Sequence, residues 1–506
     1  MVADSSRKRQ LMVRMPMVNS RSLMMCVVLL VILIAALQPI TDPDFWWHLK
    51  TGQYITETLS IPHTDVFSNS RFGSEWVTHE WLSEVFIYSI YRTLGFIGLI
   101  VIFGVIISAS FWFVYLRFKS QVLHPIVAGF ALLLGAAATT AVWGVRPQTL
   151  TLLLASITLF ILGRYYRNET KYAIWWLVPL TILWVNLHAG FALGLTLILL
   201  TIVGLLVDAI LLSDNSRTEL REKLVPLIGA FLLSCAAVCV NPNGARMYSY
   251  PFETLRSQAM MRFIEEWRSP DFHQPHFQAL ALLLIGTFCA LALSNKRIRP
   301  GELLLLAVTA FATLRSGRNV AFFSLAATPL FAEHLWNWLM TYRWAARLFT
   351  PQTIETAKIS PIKVALNVTL IVLALIITTL GVRRAMVLQP VAEAREFPGG
   401  AVNFMLAEQP PQPIYNEYTW GGYFIWRLYP DYRVYIDGRA DVYGDQLVEE
   451  SLKVHDANPG WRELLNKYGT RTVLVKPDSG LATSLRDETG WQKVFEDRQA
   501  VIFVRQ

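Results

Sequence analysis

The chain has 506 residues, 54% hydrophobic and 16% charged, with a mean hydropathy of +0.39; soluble domains carry roughly 25% charged residues. The deficit is concentrated in long apolar runs, which excludes a soluble globular enzyme and places most of the chain in a bilayer. The net charge of +8 lies mostly in short segments between those runs, as topology determinants do, so nucleic acid is excluded as a partner.

Arg7, Lys8, Arg9, Arg14 and Arg21 make a basic N-terminus, residues 1–22, ahead of the apolar run from Leu23 to Leu37. No small-residue cleavage site follows, so this run reads as an uncleaved first span. Apolar runs predict about eleven spans, at 23–40, 85–116, 122–143, 148–163, 172–187, 190–212, 224–240, 277–294, 302–314, 319–339 and 362–382, within a transmembrane domain over 23–385. Cys26, Cys235, Cys239 and Cys289 all fall inside such runs and read as small buried side chains, with no disulfide framework. Basic residues gather in alternate loops: Arg117 and Lys119; Arg164, Arg167 and Lys171; Arg217, Arg221 and Lys223; Lys296, Arg297 and Arg299; then Arg343, Arg347, Lys358 and Lys363. The positive-inside bias makes the N-terminus cytoplasmic, and an odd number of spans puts the C-terminus outside.

That parity sends nearly every other polar cluster to the outer face. The first outer loop, 41–84, begins Asp42-Pro43-Asp44-Phe45-Trp46-Trp47-His48. Its front half reads as an interfacial helix with Trp46 and Trp47 toward headgroups. Pro62, Ser68, Asn69 and Gly73 break it, and a helix resumes near Thr78 with His79 and Glu80 at its head. Each acid has a local reading: Asp42 before Pro43 as an N-cap with Asp44 in the first turn, and Thr78 with Glu80 as a cap and dipole partner. Arg146, Arg315 and Arg318 sit against the positive-inside bias in short outer turns. A misplaced cation near a bilayer has an anionic partner, either a lipid phosphate or an internal carboxylate. Asn186 and His188 close the fifth span, where they either contact substrate or satisfy helix-end groups.

The second long outer loop, 241–277, opens with the turn Asn241-Pro242-Asn243-Gly244. A helix over 245–263 resting on the interface follows. It ends in Glu265-Glu266-Trp267, a stretch placed to bind an acceptor, with Trp267 as a stacking face for a sugar; a solvated helix end is the alternative. From 395 to 506 the composition is that of a soluble α/β domain, entered through a linker marked by Pro390, Pro398, Gly399 and Gly400. Strands are predicted at 413–416, 433–437, 471–475, 492–496 and 500–504, the last two as a hairpin around Asp497-Arg498, with helices near 418–428, 445–455, 460–468 and 480–487. Asn416-Glu417-Tyr418 and Asp437-Gly438-Arg439-Ala440-Asp441 follow successive strands, placing them on one sheet edge as a ligand or lid element. No phosphate-loop or dinucleotide fingerprint is present.

An acidic residue just after the first span, an interfacial helix and a second acidic residue entering the second span resemble the C-type (GT-C fold) membrane glycosyltransferases, the protein mannosyltransferases and aminoarabinose transferases among them. The WWHL, HEWL and IDGR stretches are also similar to those of a group of bacterial membrane proteins. The pattern departs from the family's usual one where Phe45 follows Asp44 in place of a second acid, and where His79-Glu80-Trp81-Leu82 replaces a Lys-Pro-Pro stretch. The resemblance implies a sugar transferred, with inversion, from a polyprenyl-phosphate donor to an acceptor glycan, lipid or protein on the outer face of a bacterial cytoplasmic membrane. It gives Asp44 the catalytic position, as base or metal ligand, and Glu80 the second acidic position, with Asp42 beside them. Arg146, Arg315, Arg318, His188 and Asn186 would hold the donor phosphate or substrate. His48 and His79 could join these carboxylates around a divalent metal; no other cofactor is implied. Two other readings stand beside this one: a non-catalytic scaffold retaining the fold, and a lipid or polysaccharide transporter, against which the one-sided polar groups and the absence of an internal repeat argue.

Overall fold

A computed structural model describes residues 20–119, 123–212, 217–349 and 361–506. The basic N-terminus read over 1–22 lies outside them as far as residue 19, as does Lys358. Each of the eleven apolar segments is a helix: α1 (Ser20–Ala36), α3 (Trp81–Phe118) after the loop helix α2 (Phe45–Thr58), α4 (Pro125–Ala137), α5 (Pro147–Tyr166), α6 (Leu177–Leu187), α7 (Phe191–Leu212) and α8 (Arg217–Ala237). After the short loop helices α9 (Tyr250–Arg256) and α10 (Gln258–Phe263) come α11 (Pro275–Leu293), α12 (Pro300–Arg315), α13 (Val320–Leu339), the short α14 (Arg343–Phe349) and α15 (Pro361–Glu396). Among the described residues α3, α5, α7, α11 and α15 are long and apolar enough to cross a bilayer. The two-helix break in α3 falls at Gly95, whose φ of 64° only glycine adopts freely. It separates a polar head, 81–94, from an apolar stretch, 96–118, that is by itself long enough to cross a bilayer.

Three expectations about the helical part are corrected. Cys26, Cys239 and Cys289 are exposed on the helix surfaces and Cys235 is half-buried; a bilayer solvates outward-facing apolar side chains, so hydrophobicity did not imply burial. The helix read over 245–263 is broken into α9 and α10 between short 3₁₀ turns, because Ser257 caps α10 by accepting from the Met260 N–H. Trp46 and Trp47 do not face headgroups. They are buried, with Trp46 edge-on to Tyr423 at 5.1 Å and to Phe397 at 5.6 Å.

Those last contacts are made by the C-terminal segment that carries the sheet, which sits directly on the loop over 41–84. No linker precedes it. Helix α15 runs through Pro390 to Glu396, and α16 (Gly399–Glu408) starts almost at once. Gln389 clamps the exit of α1, accepting from the Ile40 N–H at 2.7 Å and donating to its carbonyl at 3.1 Å. Four strands, β1 (Ile414–Asn416), β2 (Thr472–Val475), β3 (Trp491–Glu496) and β4 (Val501–Arg505), form a mixed sheet in the order β1-β2-β4-β3. The first pair is parallel and the β3–β4 hairpin antiparallel. Around it lie α17 (Gly421–Leu428), α18 (Ala440–His455), α19 (Trp461–Lys467) and α20 (Gly480–Arg486). The run 433–437 is not a strand of this sheet. Its Val434 pairs instead with the first outer loop, donating to the Phe67 carbonyl at 3.1 Å and accepting from the Asn69 N–H at 2.8 Å.

Glycines make the close seating possible. A Cβ on Gly422 would lie 2.5 Å from the Pro43 carbonyl, and one on Gly438 would lie 1.7 Å from Asp44 Oδ1. A buried ion network locks the join: Arg439 donates to Asp65 Oδ1 at 2.7 Å and to Asp437 Oδ1 and Oδ2 at 2.8 and 2.6 Å, with its guanidinium 4.6 Å from the Trp76 ring. Tyr443 donates to Asp437 as well. The IDGR stretch is therefore a fastener between soluble domain and loop, and Asp437 has no free oxygen for a ligand at a sheet edge.

Candidate active site

The roofed space between the first outer loop and the helix ends holds two groups of ionisable side chains. The first is built on Arg146, which the extended backbone before Pro147 delivers at the head of α5. Its Nε lies 3.0 Å from Asp42 Oδ2 and an Nη 3.9 Å from Asp44 Oδ2, while the other Nη pairs with Glu266. Asp42 also accepts from the Asp44 N–H at 2.9 Å, which fixes the turn into α2. Asp44 stands at the N-cap of α2 without capping it. Its carboxyl instead takes the Trp47 indole N–H at 3.2 Å beneath Gly438.

Burial pushes the Asp44 carboxyl up to about 7, reinforced by Asp42 and Glu266 and opposed by Arg146 and the Trp47 N–H. Its side chain keeps 32% of its surface open, so it lies in a recess with room for a small group rather than in a sealed core. Glu266 is held below its ordinary value: burial works against the charge, but Arg146 and Arg318 outweigh it.

The second group surrounds Glu80. One oxygen, Oε1, faces His79 Nε2 and His188 Nε2, each at 3.3 Å; the other, Oε2, lies 3.6 Å from His48 Nδ1. Burial opposes ionisation of Glu80, but the neighbouring imidazoles, His79 first, hold it well below the usual carboxylate range. His188 Nδ1 accepts from the Gly190 N–H at 2.9 Å and meets the Thr151 hydroxyl at 2.9 Å. Its proton must therefore be on Nε2, and burial lowers its pKa to about 3. His79 Nδ1 contacts the Val77 carbonyl at 3.1 Å. Burial disfavours its charge, yet Glu80 and Asp441 raise its pKa overall. Tyr250 joins soluble domain to chamber, its hydroxyl 3.1 Å from Asp441 Oδ2 and 3.4 Å from His79 Nε2.

Several expected site residues have other roles. Arg146 is engaged by three carboxylates, the internal ion pair of its two readings. Asn186 is saturated structurally, accepting from Trp81 Nε1 at 2.9 Å and donating to the Ile182 and Val240 carbonyls at 2.8 Å each. Glu265 is exposed and bonded to Gln274; the next residue, Glu266, turns inward. Trp267 carries Arg318 over its ring at 4.7 Å, which covers one face intended for a sugar. Arg318 is 3.8 Å from Glu266, and Arg315 is exposed and makes no ion pair among the described residues. Neither Thr78 nor Glu80 caps α3: Thr78 donates to the Pro62 carbonyl at 2.5 Å, and the Glu80 side chain makes no cap bond.

His48 fits a metal and His79 does not, because His79 commits Nδ1 to a carbonyl and Nε2 to Glu80 and Tyr250. The third member of the metal-capable group is Glu84, with His48 and Glu80. Sequence reading passed over Glu84, and named Glu266 and Asp441 only within the Glu265-Glu266-Trp267 and Asp437 to Asp441 stretches. Glu84 carried a usable signal: a carboxylate at the edge of the second apolar run, one helical turn beyond Glu80. Nothing local singled the other two out from Glu265 and Asp437.

A mostly helical core with apolar helices, an acidic loop after α1 and a small C-terminal sheet over that loop together have the fold of the C-type membrane glycosyltransferases. No family model matches the chain, and no curated protein matches its sequence. Solved structures do. The oligosaccharyltransferase of Archaeoglobus fulgidus, tethered to an acceptor peptide, matches with a TM-score of 0.55 at 13% identity, over 91% of this chain and 69% of that one. The same archaeal enzyme with an inhibitory peptide and dolichol-phosphate matches at 0.51 and 12%, over 89% and 69%. The arabinofuranosyltransferase AftD from Mycobacteria matches at 0.50 and 13%, over 97% of this chain and 40% of that one. At such identities the likeness is one of fold.

Proposed function

We propose that the chain is a membrane glycosyltransferase that moves a sugar, with inversion, from a polyprenyl-phosphate donor to an acceptor hydroxyl at the face of the membrane bearing the soluble domain. The basic-loop pattern makes that the outer face of a bacterial cytoplasmic membrane, with eleven spans and the N-terminus inside. The observation that carries the reading is Asp44: a carboxyl of raised pKa, beside a fixed guanidinium and under a glycine roof, in a recess open to a small group. The likeness to an archaeal enzyme solved with dolichol-phosphate supports a lipid-phosphate donor.

Asp44 takes the proton of the acceptor hydroxyl as its oxygen bonds to the anomeric carbon; the bond from that carbon to the phosphate oxygen breaks, and the lipid phosphate leaves with the electron pair. Arg318, held only loosely by Glu266 at 3.8 Å, is a donor placed to receive that phosphate, while the His188 Nε2–H holds Glu80. Arg146 holds Asp42 and Asp44 in place, and Asp42 shapes the turn. His48, Glu80 and Glu84 would hold a divalent metal, which supplies positive charge where the phosphate develops its own.

The experiment is reconstitution in proteoliposomes with labelled polyprenyl-phosphate sugars and an impermeant acceptor supplied to one face at a time. Wild type turns over only with acceptor on the soluble-domain side, and Asp44→Asn falls at least 100-fold, a typical loss for a general base. Equal turnover by the two proteins removes Asp44 from the mechanism; no turnover by either, with both folded, favours the scaffold.

A further inference from the structure

His48, Glu80 and Glu84 turn acceptor atoms toward one another across a gap. His48 Nδ1 is 3.4 Å from Glu84 Oε1 and 3.6 Å from Glu80 Oε2, and the three ligand atoms lie within 4.8 Å of each other. Both separations exceed an ordinary N–H···O bond of about 2.7–3.2 Å. They match the edge of a tetrahedron around an ion with bonds of about 2.0–2.2 Å, an edge of about 3.3–3.6 Å. The residues are 4%, 8% and 1% exposed, and Glu84 Oε2 is buried with no hydrogen-bond partner. A buried carboxylate oxygen without a partner is costly unless a cation meets it.

Two further features fit. Glu80 is oriented from behind, its Oε1 fixed by His79 and His188 so that Oε2 is left facing His48; such outer partners characteristically set the direction of metal ligands. The site's charge is also lopsided. Asp42, Asp44, Glu80, Glu84, Glu266 and Asp441 bring six carboxyl groups into one interacting set, against the guanidiniums of Arg146 and Arg318. Such a surplus of carboxyl groups over fixed cations favours the uptake of a cation.

We propose that His48 Nδ1, Glu80 and Glu84 form a divalent-cation site of the zinc class, with three protein ligands and a fourth position for a phosphate oxygen. Mixed nitrogen and oxygen donors with tetrahedral edges suit zinc and its neighbours better than magnesium or calcium, which demand six or more oxygens. The site lies beside Asp44 and does not use it. Its use in admitting a phosphate donor rests on the glycosyl-transfer reading; its existence does not.

The test is zinc binding by the purified full chain in detergent, stripped with chelator and then titrated against a chromophoric competitor, with bound metal counted by mass spectrometry. One zinc per chain is expected for wild type and for Asp44→Asn. Affinity should be about 100-fold weaker in Glu84→Gln and in His48→Gln, at least what loss of an outer-shell partner costs. Two variants on different helices, each checked by thermal melting, keep the outcome readable if one fails to fold. Absence of zinc from wild type, unchanged affinity in the folded variants, or loss in Asp44→Asn alone overturns the site. A zinc-loaded chain that never transfers sugar retires the transfer reading and leaves the site standing. A stripped chain that transfers as fast as the loaded one overturns the ion's role and leaves the transfer.

Discussion

Replacing Gly438 by alanine should separate catalysis from folding. The backbone at this position needs no glycine-only conformation, since Gly438 is not among the residues of positive φ. The obstacle is space. An alanine Cβ would stand 1.7 Å from Asp44 Oδ1, 2.8 Å from its Cγ and 3.3 Å from Trp47 Nε1. Carbon and oxygen rest at about 3.5 Å, so something moves by about 1.5–2 Å. The IDGR segment is pinned by the buried Arg439 network, whereas Asp44 is the end of a short side chain with room beside it. Asp44 therefore yields, and its hydrogen bond to Trp47 is lost. Overpacking of this kind costs about 1–3 kcal/mol, and a side chain that can turn aside keeps the cost near the lower end. Catalysis suffers more: a displacement of about 1 Å at a reacting group costs about 100-fold. The assay is turnover in proteoliposomes beside thermal melting of the same preparations, with Gly163→Ala near the far end of α5, whose Cβ would meet nothing closer than 3.7 Å, as control. Turnover at the wild-type rate in a normally folded Gly438→Ala protein would refute the placing of Asp44 under this glycine.

Because burial and neighbouring acids raise Asp44 to about 7, kcat/KM should rise about tenfold per pH unit below that value and level off above it. Arg146→Met removes the one charge that lowers the group and should carry the midpoint to higher pH; a profile unmoved by Arg146→Met would detach the base from Asp44. For stability the sign is opposite: a carboxyl raised above its ordinary 3.8 stabilises the fold fully below about pH 4, a contribution lost as pH climbs through about 7. Arg439→Met should destabilise the soluble domain on the loop by about 3–5 kcal/mol, since it leaves Asp65 and Asp437 buried without a cation. Limited proteolysis near 397–400 and melting would report it, and adding Asp65→Asn and Asp437→Asn should recover part of the loss; stability unchanged in Arg439→Met would show that the network fastens nothing.

The sequence alone determined what depends on local chemistry repeated along the chain. Each of the eleven apolar runs falls on a helix, five of them long enough among the described residues to cross a bilayer, because bilayer solvation and helical hydrogen bonding act on each run separately. The α/β character of 395–506 followed from short strands between helical stretches, and Asp42, Asp44, His48 and Glu80 stood out because they interrupt an apolar context. What only the tertiary structure decided is which charge meets which. Arg146 looked like a phosphate clamp until Asp42 and Glu266 were placed on it, and Glu265 and Glu266 differ only in which way a short 3₁₀ turn points them. Trp46 looked interfacial because an aromatic belt and a domain interface reward the same side chain. Asp441 and Gly438 enter the chamber from a domain more than 350 residues from Asp44, on a path set by the docking of two folded bodies. Coulomb pairing and close packing are properties of positions in space, and no local pattern encodes a distance between segments so far apart.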